Sequence, residues 1–140
     1  MARVSVKVTR KPRIDKVKQQ YASNAKQLVG IAAGLVRATA VTSILQGAKS
    51  GVVYEKYKPR RTHTASAAGE PPASDTGRLA TNIFIKMDTD RLGADVESRA
   101  GYSEFLEFGT TKMAARPFMH PAAEANRPKI RRLVQQMKAK

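Results

Sequence analysis

The sequence predicts an α+β fold, in which a long N-terminal helix and a C-terminal helix pack on a small antiparallel sheet and a long central loop separates them. Three patterns point that way. Apolar residues recur every three or four positions along one long stretch and again near the C-terminus; they alternate in two adjoining stretches around Asp88; and about twenty residues in the middle carry no period.

Taken in order, Val4, Val6 and Val8 alternate with Arg3, Ser5, Lys7 and Thr9, the period of a strand with one buried face, and Pro12 closes it. From Ile14 the period is helical: Ile14, Val17, Tyr21, Ala25, Leu28, Ala32, Leu35 and Thr39 share a face, and the helix ends near Gly47. Gly30 and Gly34 each cost that helix about 1 kcal/mol relative to alanine, so a close approach is expected there. Either the helix lies flat on the sheet, or another subunit contacts it.

Lys58 to Gly77 holds Pro59, Gly69, Pro71, Pro72 and Gly77 and is expected to be an extended loop or arm, a length that is uncommon unless functional. Ile83, Ile85 and Met87, then Leu92, Ala94 and Val96, read as two strands joined by a turn at Asp88-Thr89-Asp90-Arg91. With the N-terminal valines these make a three-stranded sheet. Tyr102, Phe105 and Leu106 suggest a short helix ended by Gly109, and Pro117 to Pro121 an extended approach to the last helix. There Ile130, Leu133, Val134 and Met137 form the apolar stripe, and Pro128 kinks the helix or marks its start.

At 140 residues the chain suits a single domain, 1–140, with 58–77 as its arm. Only 6% of residues are aromatic, so the core should be modest and oligomerisation is a reasonable way to bury the remainder. The formal net charge of +15 calls for partners bearing negative charge: nucleic acid, an acidic protein surface or anionic lipid. Leu28 to Leu45 comes nearest to a membrane span, but Arg37, Thr39, Thr42 and Ser43 interrupt it, and no membrane partner is expected. The first eight residues alternate charge and valine, so no secretory signal is expected either.

Cysteine is absent, which removes disulfides, thiolate nucleophiles and thiolate metal sites. His63, Glu70 and Asp75 on the central loop offer the one conceivable acid–base cluster. No His-x-x-x-His, Glu-x-x-His, Gly-x-Ser-x-Gly or Gly-rich phosphate loop accompanies them, so neither catalytic residue, cofactor nor metal is expected. Two basic clusters carry more weight. Arg3, Lys7, Arg10, Lys11, Arg13, Lys16 and Lys18 crowd the N-terminus against Asp15 alone, and Arg127, Lys129, Arg131, Arg132, Lys138 and Lys140 crowd the C-terminus. Such density neutralises phosphates or matches an acidic protein neighbour, and no aromatic residues interleave to stack single-stranded bases.

Two motifs carry a resemblance. The first runs His63-Thr-Ala-Ser66-Ala-Ala-Gly69-Glu70-Pro71-Pro72-Ala-Ser-Asp75-Thr76-Gly77-Arg-Leu79; the second runs from Tyr102 through Glu107-Phe108-Gly109-Thr110 and Arg116-Pro117-Phe118 to Pro121-Ala. Their order and spacing resemble the neck and tail-completion proteins of long-tailed bacteriophages, the lambdoid type, over roughly residues 58–135. The resemblance implies a non-enzymatic virion protein forming a ring, six-fold in most such proteins, between the portal assembly and the tail tube. Its partners would be its own copies, an adjacent connector ring, the tail tube protein and the duplex DNA passing through the lumen. The alternative is a basic nucleic-acid-binding protein of ribosomal or nucleoid type. In the ring setting Gly69-Glu70-Pro71-Pro72 suits an arm reaching a neighbour, Thr76-Gly77 turns the chain into the hairpin, and Phe118 is expected to be a core or interface anchor. Arg116 and Glu107 are expected to pair, within a subunit or across two. Arg10, Lys11, Arg131 and Arg132 are the basic contacts expected to face neighbouring rings.

Overall fold

The computed structural model describes residues 12–138, so the N-terminal valine strand, Arg10 and Lys11 lie outside the described residues. The architecture is α+β, in the order α1 (Pro12–Gln46), β1 (Val53–Tyr57), β2 (Arg60–Thr64), α2 (Arg78–Thr81), β3 (Ile83–Met87), β4 (Ala94–Ser98), α3 (Ser103–Phe108) and α4 (Met119–Lys138). Among the described residues the strands form two separate antiparallel hairpins, β1–β2 and β3–β4.

α1 is the pillar. Its C-terminal half presents Ala40 and Ile44 to a core completed by Leu79, Ala80, Ile83, Ala100, Phe118 and Ala122. Phe118, Ile44 and Ile83 are the largest side chains fully withdrawn from water, and each contributes about 1.5–3 kcal/mol by burial. Three such anchors make a small core, as the low aromatic content led one to expect. Two polar ties fix the surrounding elements: Arg37 Nε donates to the Ile83 carbonyl at 2.7 Å, and buried Asn126 Nδ2 donates to Thr39 Oγ1 and to the Ala122 carbonyl, each at 2.8 Å. The second tie holds α4 against α1. The half-buried stripe of α4, Ile130, Leu133, Val134 and Met137, falls on the helical spacing read from the sequence.

The hairpin at Asp88 forms where its turn residues predict it. Asp88 Oδ1 accepts from the Asp90 and Arg91 amides, the Asp88 amide donates to the Gly93 carbonyl, and Ile83 pairs with Ser98 at the far end. The central segment differs from the expected loop. Its first part is β2, paired with β1 in the register Val53 to Thr64 and Tyr57 to Arg60, so the irregular portion begins only after Thr64. Most of this hairpin's side chains are exposed, on both faces, so no apolar alternation marks it; Val, Tyr and Thr form the strands by β-propensity and cross-strand pairing.

α4 also differs from expectation. It starts at Met119, which places Pro121 in its first turn instead of in an extended lead, and Pro128 sits within the helix. Proline is tolerated in the first turn because its missing N–H would have no helical acceptor. At Pro128 the ring faces solvent. The glycines of α1 receive no account from the described residues: a Cβ at Gly30 or Gly34 would meet nothing there within 4 Å.

Candidate functional site

The two motifs, which begin at His63 and Tyr102, meet in space. The Gly69 amide donates to the Ala115 carbonyl at 3.0 Å, and residues of both motifs line one cavity of about 220 Å³. His63, Ser66, Pro72, Thr76 and Gly77 come from the first motif; Tyr102 and Arg116 come from the second.

Glu70 holds the loop in shape. Its carboxylate accepts from the Ala67 amide at 2.8 Å, from the Ser50 amide at 2.9 Å and from the Ser50 hydroxyl, tying the loop back to the segment after α1. Those donors, the Ser50 hydroxyl first, hold its carboxyl below the usual carboxylate range. Gly69 adopts a left-handed φ of 80° between them, a conformation glycine reaches without a Cβ penalty. The Gly-Glu-Pro-Pro segment is thus a latched turn in the free subunit. Pro72 is buried and Pro71 half-buried.

Asp75 is a junction of charge. Lys56 and Arg61 on the β1–β2 hairpin both bond its carboxylate, Arg61 Nη2 at 2.7 Å, and His63 Nδ1 stands 3.9 Å away. The Lys56 hydrogen bond is the foremost cause of its lowered pKa, ahead of the Coulombic pull of Arg61. His63 and Asp75 therefore lie together, whereas Glu70 is taken up by Ser50 and Ala67. Among the described residues no group of three or more His, Cys, Asp and Glu is placed to hold a metal ion.

In the second motif, Glu107 does not pair with Arg116. Its carboxylate accepts from the backbone amides of Phe118, Met119 and His120 at 2.9, 3.0 and 2.9 Å, capping the N-terminus of α4. A helix leaves its first four N–H groups without internal acceptors. Here three are taken by Glu107 and the fourth does not exist, because residue 121 is proline. Charge favours the arrangement too, since the N-terminal end of a helix dipole attracts a carboxylate. Gly109 makes the reach possible: at φ 76° and ψ 179° it reverses the chain after α3, and the Thr110 hydroxyl accepts from the amides of Lys112 and Met113 to close the loop. Arg116 returns its amide to the Leu106 carbonyl at 2.7 Å, while its Nε is buried with no partner among the described residues.

The aromatic residues of the second motif divide. Phe118 is 1% exposed and serves as the core anchor, half-buried Pro117 leads into it, and Tyr102, Phe105 and Phe108 stand on the surface, Phe108 at 78% exposure. Arg131 and Arg132 are exposed on α4, where among the described residues Arg127 pairs with Glu124 and neither Arg131 nor Arg132 forms an ion pair. The first three turns of α1 add a second bare apolar row, Ile14, Val17 and Tyr21, each more than half exposed. Sequence spacing identified that row as a helix face but gave no means of telling that nothing within the described chain covers it.

Comparison with protein-family models, with curated proteins and with solved structures found no match.

Proposed function

We propose that this chain is a structural virion protein of the bacteriophage head–tail joint, a neck or tail-terminator subunit that forms a ring around the DNA channel. In this reading the ring is six-fold and links the portal and connector assembly to the tail tube. Assembly takes place in the host cytoplasm and the product resides in the virion neck.

The observation that carries the reading is the unfinished surface of the single subunit. Among the described residues, Ile14, Val17 and Tyr21 on α1, and Tyr102, Phe105 and Phe108 around α3, leave apolar side chains exposed, aromatic ones prominent among them, as subunit interfaces do. α1 passes the length and composition test for a membrane crossing, with a mean hydropathy of 1.8 over its most apolar window. Its Arg37, Leu35 and Thr39 are nevertheless bonded to β3 and α4, so protein neighbours are the natural cover for the remainder. Gly30 and Gly34, half-buried but with free space where a Cβ would stand, would admit a neighbouring helix closely. The motif resemblance supplies the kind of assembly, and cyclic symmetry follows from partners that are themselves rings.

A basic nucleic-acid-binding role is the second reading, favoured by the net charge of +15 and by the exposed arginines of α4. Genome passage disfavours tight binding, because several strong phosphate contacts multiplied around a ring would trap the duplex; most basic residues then dock acidic neighbouring rings. The decisive experiment mixes purified protein with phage tail tubes lacking their terminal ring and images the product. Closed rings at tube ends support the joint protein. A single copy per tube or an open filament overturns it, as does tight duplex binding at physiological salt whose log–log salt slope flattens in Arg131→Glu/Arg132→Glu.

A further inference from the structure

The cavity where the two motifs meet is lined by more than the arm's own turns. It is small, concave and of mixed character: Leu79, Leu106 and Tyr102 supply apolar wall, and Arg116, Arg78 and His63 supply polar and cationic groups. One acid, Asp75, also lines it, but Lys56 and Arg61 already bond its carboxylate. The uncompensated charge in the pocket is therefore positive, from Arg116 and Arg78, neither of which forms an ion pair among the described residues.

Arg116 decides what that charge awaits. Its backbone amide is fixed to the Leu106 carbonyl at 2.7 Å and its Nε is withdrawn from solvent, so the side chain enters the cavity wall from a set position. Arg116 lines the cavity without an ion pair among the described residues, and the planar fork of arginine matches a carboxylate through two parallel bonds. At about 220 Å³ the cavity has room for roughly seven waters at 30 Å³ each, enough for an acidic side chain with its methylene stem.

We propose that this pocket is a receptor for an acidic side chain, an aspartate or glutamate of a neighbouring protein chain, whose carboxylate pairs with Arg116 and whose stem lies against Leu79, Leu106 and Tyr102. A duplex phosphate is the poorer fit. It is tethered on both sides to sugars and stays on the surface of a stiff rod, whereas a carboxylate at the end of a flexible stem can enter a recess with apolar walls. The inference does not depend on which assembly the chain joins, and it gives the motif arginine a role that the Glu107 cap leaves open.

The test is a titration of the intact protein, following the Arg116 Nε–Hε resonance in proton–nitrogen NMR spectra. The probe is N-acetylglutamic acid α-amide, which bears a single side-chain carboxylate; its neutral counterpart N-acetylglutamine amide and inorganic phosphate are the other two arms. The expected result is a saturable shift with the glutamate probe at a Kd on the order of millimolar, as suits a ligand this small, with no shift from the glutamine probe and weaker binding of phosphate. Arg116→Lys, which keeps the charge but removes the fork, should weaken the glutamate probe about tenfold while leaving the circular dichroism spectrum unchanged. An Arg116 resonance that the glutamate probe leaves unmoved overturns the proposal. So does an equal response to the glutamine probe, or tighter binding of phosphate. These wild-type titrations decide the matter even where Arg116→Lys folds poorly.

Discussion

Removing the Glu107 carboxylate should weaken the whole α3–α4 connection, because one side chain serves three backbone donors. Glu107→Ala strands the amides of Phe118, Met119 and His120 at the start of α4, the first two in partly buried positions. Replacing a helix cap by alanine costs about 0.5–2 kcal/mol, and a buried donor left unsatisfied costs about 1–3 kcal/mol. The three bonds share one acceptor group and do not add, so the expected loss is about 2–4 kcal/mol. Glu107→Gln keeps one acceptor oxygen but loses the charge that attracts the helix N-terminus, and should cost about 1–2 kcal/mol. Urea unfolding followed by circular dichroism at 222 nm measures both. Thermal unfolding should show Glu107→Ala melting about 10 °C lower, since 1 kcal/mol is worth a few degrees in a domain of this size. Glu124→Gln is the control: Glu124 is an acid on the same helix whose pairing with Arg127 is solvent-exposed, and it should change stability by about 0.5 kcal/mol or less. If Glu107→Ala lies within that same margin, or Glu107→Gln is no worse than Glu124→Gln, the capping account is wrong.

Three further outcomes are expected. Gly109→Ala should cost about 2–4 kcal/mol in the same urea assay, because φ 76° with ψ 179° is nearly glycine-only and its Cβ would stand 2.8 Å from the Ala115 nitrogen and the Met113 oxygen; a neutral result would mean the loop relaxes freely. Glu70 has a folded pKa below its unfolded value, so its hold on Ser50 and Ala67 is present above the usual carboxylate pKa and is lost as pH falls through the lower folded value. The Ala67 amide resonance should move as pH falls below the usual carboxylate pKa in the wild type and stay nearly still in Glu70→Gln. Val17→Asp places a charge in the bare row of α1 and should leave monomer stability within about 0.5 kcal/mol while abolishing ring formation by sedimentation and imaging; normal rings would remove that row from the interface.

Features that rest on neighbours in sequence could be read from the sequence. The period of α1 from Ile14 and the stripe of α4 at Ile130, Leu133, Val134 and Met137 follow from 3.6 residues per turn. The hairpin at Asp88 follows from an aspartate able to accept from amides two and three residues on, and the end of α3 from a glycine able to take positive φ. The features that needed the tertiary structure depend on partners distant in sequence or on exposure. β1 and β2 escaped notice because a hairpin wet on both faces has no apolar alternation to betray it. The start of α4 was misplaced because Pro121 looks like a breaker until the Glu107 carboxylate is seen taking the amides ahead of it. The Glu107–Arg116 pair is a plausible match of charges, but backbone donors at a helix end offer the carboxylate a better-oriented set, and Arg116 lines the cavity without an ion pair among the described residues. Order and spacing in the chain marked both motifs, but only folding could bring Gly69 against Ala115, because that contact depends on where α1 sets down the elements between them.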